Sequence, residues 1–183
     1  GRGVPILGVN LGSLGFLTAI KEEEMYPVLE RFFKQECETG KCTTEERMAL
    51  DVKIKRKGEV IGEHRIMNDV VLRGSSGRLV SHDVSINKDY VNKYRADGLI
   101  LSTPTSSTAY ALSANVPILY PTIHSIIVVP ICPFNLTNKP VVVPDWMVVE
   151  VGLKEGDDDV QVVMDGQVKV DLLGGDSIEV RRA

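Results

Sequence analysis

The chain has 183 residues, 43% of them hydrophobic and 25% charged, which is one domain or one and part of another, large enough to close a core without disulfide or metal. Lys and Arg number 21 against 25 Asp and Glu, a net charge of −4, opposite in sign to what binding a phosphate backbone needs, so no nucleic-acid partner is expected. No apolar run approaches the roughly 20 residues of a membrane helix, since Ile126 to Cys132 is short and broken by Pro130.

The sequence opens Gly1-Arg2-Gly3 without an initiator Met and runs directly into the apolar segment Val4 to Val9, the pattern of a chain that starts mid-fold. Glycines at 8, 12 and 15 follow, a buried strand entering a tight turn. From Glu22 to Glu36 the apolar residues Met25, Val28, Leu29, Phe32 and Phe33 fall at helical spacing behind three glutamates, predicting the one long helix. After Gly40 the period becomes two: Met48, Leu50, Val52 and Ile54, a turn at Gly58-Glu59, then Met67, Val70 and Leu72. Strands are predicted at Val80 to Asn87, Gly98 to Ser102, Ile123 to Pro130, Val141 to Leu153, Val160 to Met164, Gln167 to Leu172 and Ser177 to Arg181, with only Thr108 to Ala114 helical among them. Asp165-Gly166 and Gly174-Gly175-Asp176 read as hairpin turns. The expected fold is therefore an α/β remnant (the C-terminal part of a Rossmann-like domain, residues 1–40) followed by an all-β, sandwich-like domain (residues 41–183), its extreme C-terminus free to pack back on the α/β part. Cys37, Cys42 and Cys132 form no CxxC pair and have no His cluster beside them, against a disulfide framework or structural zinc. With no signal peptide at the N-terminus, the expected setting is cytoplasmic.

Three motifs carry chemistry. Gly8 to Thr18 spaces its last two glycines as a dinucleotide fingerprint does but has Asn10 in place of the first; a tight strand exit explains it equally. Asp97-Gly98 leads through a strand into Thr103-Pro104-Thr105-Ser106-Ser107-Thr108-Ala109-Tyr110, with five hydroxyls in six residues at a helix N-terminus. Capping uses one, and the others with the free N–H groups suit ribose or pyrophosphate oxygens, while Tyr110 offers a stacking face. Asn68-Asp69, set in an apolar strand, is costly to bury unless it ends the strand or meets a polar ligand; Asn suits an adenine edge and Asp both hydroxyls of a ribose. His64, His82 and His124 stand in no nucleophile elbow or metal spacing and read as ordinary surface or core residues.

In order and spacing these segments resemble the NAD kinase family. The matching strings are Glu46 to Leu50, Met67 to Val71, Asp97 through Tyr110, Leu112 to Ala114, Pro130 to Pro133, Asn138 to Pro144 and Asp165 to Gln167. The resemblance implies phosphoryl transfer from ATP or polyphosphate, with a divalent ion such as magnesium, to the 2′-hydroxyl of the adenosine ribose of NAD, giving NADP. By position it places NAD contacts at Asn68, Asp69, Arg78, Arg95 and Asp97, at Thr108, Ala109, Tyr110, Ala111, Leu112 and Ser113, and at Gln167. It also implies a homo-oligomer, dimer or tetramer, with NAD touched by more than one subunit.

Three departures from the family pattern stand out. Ser106 replaces a usual glycine, Asn115-Val116 replaces Gly-Gly, and Phe134-Asn135 stands where many members have His-Ser. The family's Gly-Gly-Asp-Gly loop, whose Asp is taken as the base, lies upstream of Gly8 in relatives, so the expectation is a truncated enzyme, inactive on its own. Competing readings are a sensor that binds NAD or NADP without turnover and a relative of diacylglycerol-type lipid kinases.

Overall fold

A computed structural model describes residues 5–12, 17–18, 20–34 and 44–183. Gly1 to Val4, Gly15 of the glycine turn, Gln35 and Glu36 of the predicted helix, and Cys37, Gly40 and Cys42 lie outside the described residues. The chain divides into two compact units, Gly1–Glu46 and Arg47–Ala183.

In the first unit, β1 (Val9–Asn10) and β2 (Ile20–Lys21) pair in parallel. A Cβ at Gly8 would collide with the Leu17 carbonyl oxygen, so the glycine serves close backbone approach. A 3-10 turn, Glu22–Glu24, leads into α1 (Met25–Phe33). The Glu24 carboxylate reaches back to accept the Lys21 N–H at 2.9 Å, which satisfies one of the donors a helix start leaves free.

The second unit is a β-sandwich. One sheet has the order β10 (Val141–Pro144), β9 (Ser125–Ile131), β8 (Gly98–Ser102), β5 (Asp69–Gly74), β12 (Val160–Met164), β13 (Val168–Leu172). The other runs β4 (Glu59–Ile66), β3 (Leu50–Arg56), β14 (Ser177–Arg182), β11 (Val149–Leu153), β6 (Val80–Ile86), β7 (Asp89–Ala96). Their inner faces form one core that includes Val52, Ile54, Val84, Val151 and Ile178 on one side and Leu72, Leu99, Leu101, Ile126 and Val162 on the other. The first sheet is covered on its outer face as well: Val71, Ile100, Ile127, Val129 and Val163 pack with Ala111 and Val116. Burial on both faces is why Leu99-Ile100-Leu101 and Ile126 to Val129 read as continuous apolar runs.

Several predicted boundaries change. β4 and β7 escape the pattern because they are edge strands carrying charge on their exposed positions. Their hairpins turn on Lys57-Gly58 (φ 52° and 84°) and Asn87-Lys88 (φ 51° and 73°), and a lysine in left-handed backbone is no turn signal. The run Val141 to Leu153 is two strands in different sheets. Gly174-Gly175-Asp176 is not a hairpin turn, since β13 and β14 belong to different sheets; buried Asp176 fixes this crossover by accepting from Arg56 Nε and Nη2 at 2.9 and 2.7 Å and from the Leu173 N–H at 2.9 Å. The C-terminal strand β14 lies between β3 and β11, and Ala183 N–H donates to the Ala49 carbonyl at 3.0 Å.

His82, on the core-facing side of β6, is fully buried, and neither ring nitrogen has a hydrogen-bond partner among the described residues. Burial pushes its pKa from 6.5 down to about 4, against a smaller opposing effect of Asp83. Below pH 6.5 the unfolded chain takes up a proton that the fold refuses until about pH 4. Stability should therefore be full above pH 6.5 and fall by about 3 kcal/mol between pH 6.5 and 4. Urea denaturation across that range is expected to show this slope in the parent and a flattened one in His82→Leu; an equal slope in both removes His82 as its source.

Candidate functional site

The site is assembled around the β12–β13 hairpin. Its central residues Asp165 and Gly166 have φ of 49° and 68°, the left-handed pair of a type I′ turn, and Gln167 N–H closes it on the Met164 carbonyl at 3.0 Å. Left-handed backbone at Asp165 accompanies a side chain turned toward β5. There its carboxylate accepts three successive backbone N–H groups, from Met67 at 2.9 Å, Asn68 at 2.7 Å and Asp69 at 3.1 Å. Asp165 N–H donates in return to the Asp69 carbonyl at 2.9 Å. The Asn68-Asp69 pair thus sits at the start of β5, at a strand end, held by an acceptor from the neighbouring hairpin.

Asp69 lies directly opposite Ser102 of β8 and is buried. Ser106 Oγ donates to Asp69 Oδ2 at 2.7 Å. Burial pushes the Asp69 carboxyl above the usual range, the Ser106 hydrogen bond opposes this, and the nearby Asp165 charge adds to it.

The hydroxyl string is more heavily committed than its sequence implies. Residues Pro104–Thr108 form a 3-10 turn, and only Tyr110–Ser113 is α-helical; a single turn has no macrodipole to offer an anion. Thr103 caps the 3-10 turn and donates to the Met67 carbonyl at 2.7 Å. Ser107 Oγ bridges the Leu119 N–H and carbonyl at 3.0 and 3.3 Å, and Thr108 Oγ1 bonds back to the Thr105 carbonyl at 3.5 Å. With Ser106 on Asp69, four of the five hydroxyls have partners: Thr103 and Ser106 tie the turn to residues 67–69 at the start of β5, Ser107 ties it to the loop at Leu119, and Thr108 bonds within the turn; only the buried Thr105 Oγ1 is unpartnered among the described residues.

A cleft of about 380 Å³ opens over this corner. It brings together Asn68, Asp69, Ala109 and Tyr110 of the expected residues, with Asp165, Gly166, Arg73 and Lys169. The Asn68 carboxamide, half-buried, has no partner among the described residues, and Arg73 and Lys169 form no ion pair there. Tyr110 is 46% exposed at the rim. Carboxylate, carboxamide, two cations and a ring face suit a nucleoside bearing phosphates. Gln167 is exposed beside the hairpin turn. Thr108, half-buried, ends the 3-10 turn, Leu112 and Ser113 are exposed on the short helix, and Ala111 is wholly buried in the outer core.

Arg78, Arg95 and Asp97 are not brought to this cleft. β5 pairs with β8 so that Asp69 faces Ser102 while Arg73 faces Gly98, which sets Asp97 five residues, about 16 Å, from Ser102. Arg78 lies on the loop beyond the same far end of β5, its carbonyl against Gly74, and the Arg95 guanidinium stacks over Phe134 at 5.3 Å. All three are exposed. Sequence reasoning missed Arg73 and Lys169, whose one signal is charge at the end of an apolar run and on an alternating strand, and it read Asp165 as a turn residue within a family string, not as a site residue.

Two departures from the family pattern find local explanations. Asn115 has φ 66°, and asparagine tolerates the left-handed backbone that glycine adopts freely, while Val116 fills the outer core. Ser106 keeps a negative φ and spends its side chain on Asp69. For a resident divalent ion the donor set does not fit: no three His, Cys, Asp or Glu side chains converge among the described residues, and the Asp165 oxygens are occupied by N–H groups. No described helix is long and apolar enough to cross a membrane.

Residues 67–183 match the family model described as the ATP-NAD kinase C-terminal domain, and residues 1–37 the ATP-NAD kinase N-terminal domain. The whole chain is 48% identical to an NAD kinase of Geobacter sulfurreducens and, over 184 aligned positions, 45% identical to one of Geobacter metallireducens; it spans 63% of the length of each. Among solved structures, 98% of the chain superposes on 51% of a yeast NADH kinase complexed with NADH (TM-score 0.87, 32% identity). The same share superposes on 65% of an NAD kinase from Archaeoglobus fulgidus in complex with ATP (TM-score 0.78, 27% identity).

If Asp165 holds the start of β5, Asp165→Ala should cost about 3 kcal/mol, because three N–H donors lose a charged acceptor. Urea denaturation measures the loss, and amide exchange should speed up first at Met67, Asn68 and Asp69. A loss under about 0.5 kcal/mol, the size of an ordinary surface substitution, with unchanged exchange would show that the turn forms without the clamp.

Proposed function

The chain belongs to the NAD kinase family, and on that premise we propose that its cleft binds the adenosine end of NAD for transfer of a phosphoryl group from ATP to the 2′-hydroxyl of the ribose, giving NADP. The observation that carries this is the buried Asp69 beside the free Asn68 carboxamide in one cleft with Tyr110, Arg73 and Lys169. A carboxylate there accepts from ribose hydroxyls, the carboxamide can pair with the adenine edge, the ring can stack on the base, and the two cations attract phosphate.

The remaining expected contacts take a different place in this reading. Arg78, Arg95 and Asp97 lie at the far end of the strands and would meet NAD through a second copy of the chain, in keeping with the oligomer the resemblance implies. The described residues offer no cage for magnesium, so the ion would accompany the donor's phosphates. Donor phosphates are held in a position that supports in-line transfer only when a base and a phosphate loop are present, and the 183 residues contain no Gly-Gly-Asp-Gly loop. They are therefore proposed to bind NAD without turnover when expressed alone.

Calorimetric titration with NAD is the test. Binding is expected in the parent, weakened on the order of tenfold to a hundredfold in Asp69→Ala and Asn68→Ala. No binding by a folded parent would sink the reading. In a parallel assay, NADP should form when the chain is preceded by the upstream segment of a relative and not by the chain alone; turnover by the chain alone comparable to a complete relative would contradict the assignment of the base to the upstream loop.

A further inference from the structure

We infer that Ser106 is a positioning residue for Asp69: its hydroxyl commits Oδ2 inside the protein and leaves Oδ1 as the oxygen presented to the ligand, so that Asp69 reads one hydroxyl of a ribose instead of gripping the diol with both oxygens. This rests on the reading of the cleft as a nucleoside site.

The geometry is specific. Ser106 is wholly buried, its Oγ donates to Oδ2 at 2.7 Å, and no other described side chain bonds the Asp69 carboxylate. Oδ1 has no partner among the described residues and retains access to solvent. The backbone on either side is fixed independently. Asp165 clamps residues 67–69, and Thr103 ties the start of the 3-10 turn to the same strand through its N–H to the Asn68 carbonyl at 2.9 Å and its hydroxyl to the Met67 carbonyl. Donor and acceptor are therefore delivered by two rigid segments, and the carboxylate cannot rotate without breaking a buried hydrogen bond.

Charge gives the same serine a second consequence. The groups around the carboxyl are Asp165 on the hairpin, Arg73 on its own strand, Lys169 on β13 and Tyr110 on the short helix. Burial and Asp165 favour the protonated acid, while the Ser106 hydroxyl favours the carboxylate. Removing that hydroxyl should extend the protonated form toward neutral pH, and a protonated Asp69 presents the ligand with a different donor and acceptor pattern.

Ser106→Ala and Ser106→Gly test this by calorimetry with NAD from pH 5 to 8, together with carbon-13 NMR titration of the Asp69 carboxyl in the ligand-free proteins. The expected result is an affinity about tenfold below the parent at pH 6 that recovers toward it by pH 8, with the Asp69 midpoint moved upward in both variants. A loss of equal size at every pH would mean that Ser106 acts only by packing, and an unmoved midpoint would overturn the proposal outright. If the parent itself fails to bind NAD, the nucleoside reading falls, and the NMR midpoints still decide whether Ser106 sets Asp69. Should the alanine variant be too unstable to titrate, the glycine variant, which restores the residue of the family pattern at this position, supplies the same comparison.

Discussion

One carboxylate in the tip of a hairpin receives three consecutive N–H groups from the end of a neighbouring strand. Backbone donors at a strand end have no ladder partner, and leaving them unpaired in a half-buried corner costs about 1 to 3 kcal/mol each. Asp165 removes that cost only if the turn is left-handed, so the Asp-Gly pair, the register of β12 against β5 and the exposure of Asn68 and Asp69 to the cleft are one constraint. Polar residues can then end an apolar strand without being swallowed by it.

The outer layer solves a related problem. Sheet strands covered on both faces need a lid, and here the lid is a 3-10 turn and a single α-turn held by hydroxyls that bond to the Met67 carbonyl just before β5, to the Asp69 carboxylate and to the loop at Leu119. A hydroxyl-rich segment that looks designed to cradle a ligand is therefore mostly fastening. What it contributes to the cleft is position: it holds Ala109 and Tyr110 over Asp69 and supplies the one hydroxyl that binds the carboxylate. The replacements at Ser106 and Asn115 fit this frame, the first by using its side chain inside, the second by accepting the backbone that glycine would otherwise take.

Much of this was legible in the residues. Apolar alternation located most inner strands, and the strand, turn and motif order carried the resemblance that the comparisons then showed. What the pattern could not reveal was anything set by pairing in three dimensions. β4 and β7 are edge strands whose charges mask the period, the crossover at Gly174-Gly175-Asp176 looks locally like a hairpin, and Asp165 looks like a turn residue until its partner strand is known. Nor does closeness in the motif order translate into one cleft: Asp97 and Tyr110 are near in sequence, yet strand β8 runs between them and only Tyr110 lines the cleft.

The central claim is that Asp69, fixed by Asp165 and Ser106, is where this chain meets a nucleoside. A crystal structure of the protein grown with NAD tests it most directly. The account predicts the adenosine ribose in the cleft, with one hydroxyl within about 3 Å of Asp69 Oδ1 and the Ser106 bond to Oδ2 intact. A ribose bound elsewhere on the chain, or one whose two hydroxyls take both oxygens of Asp69 after Ser106 has let go, would contradict it.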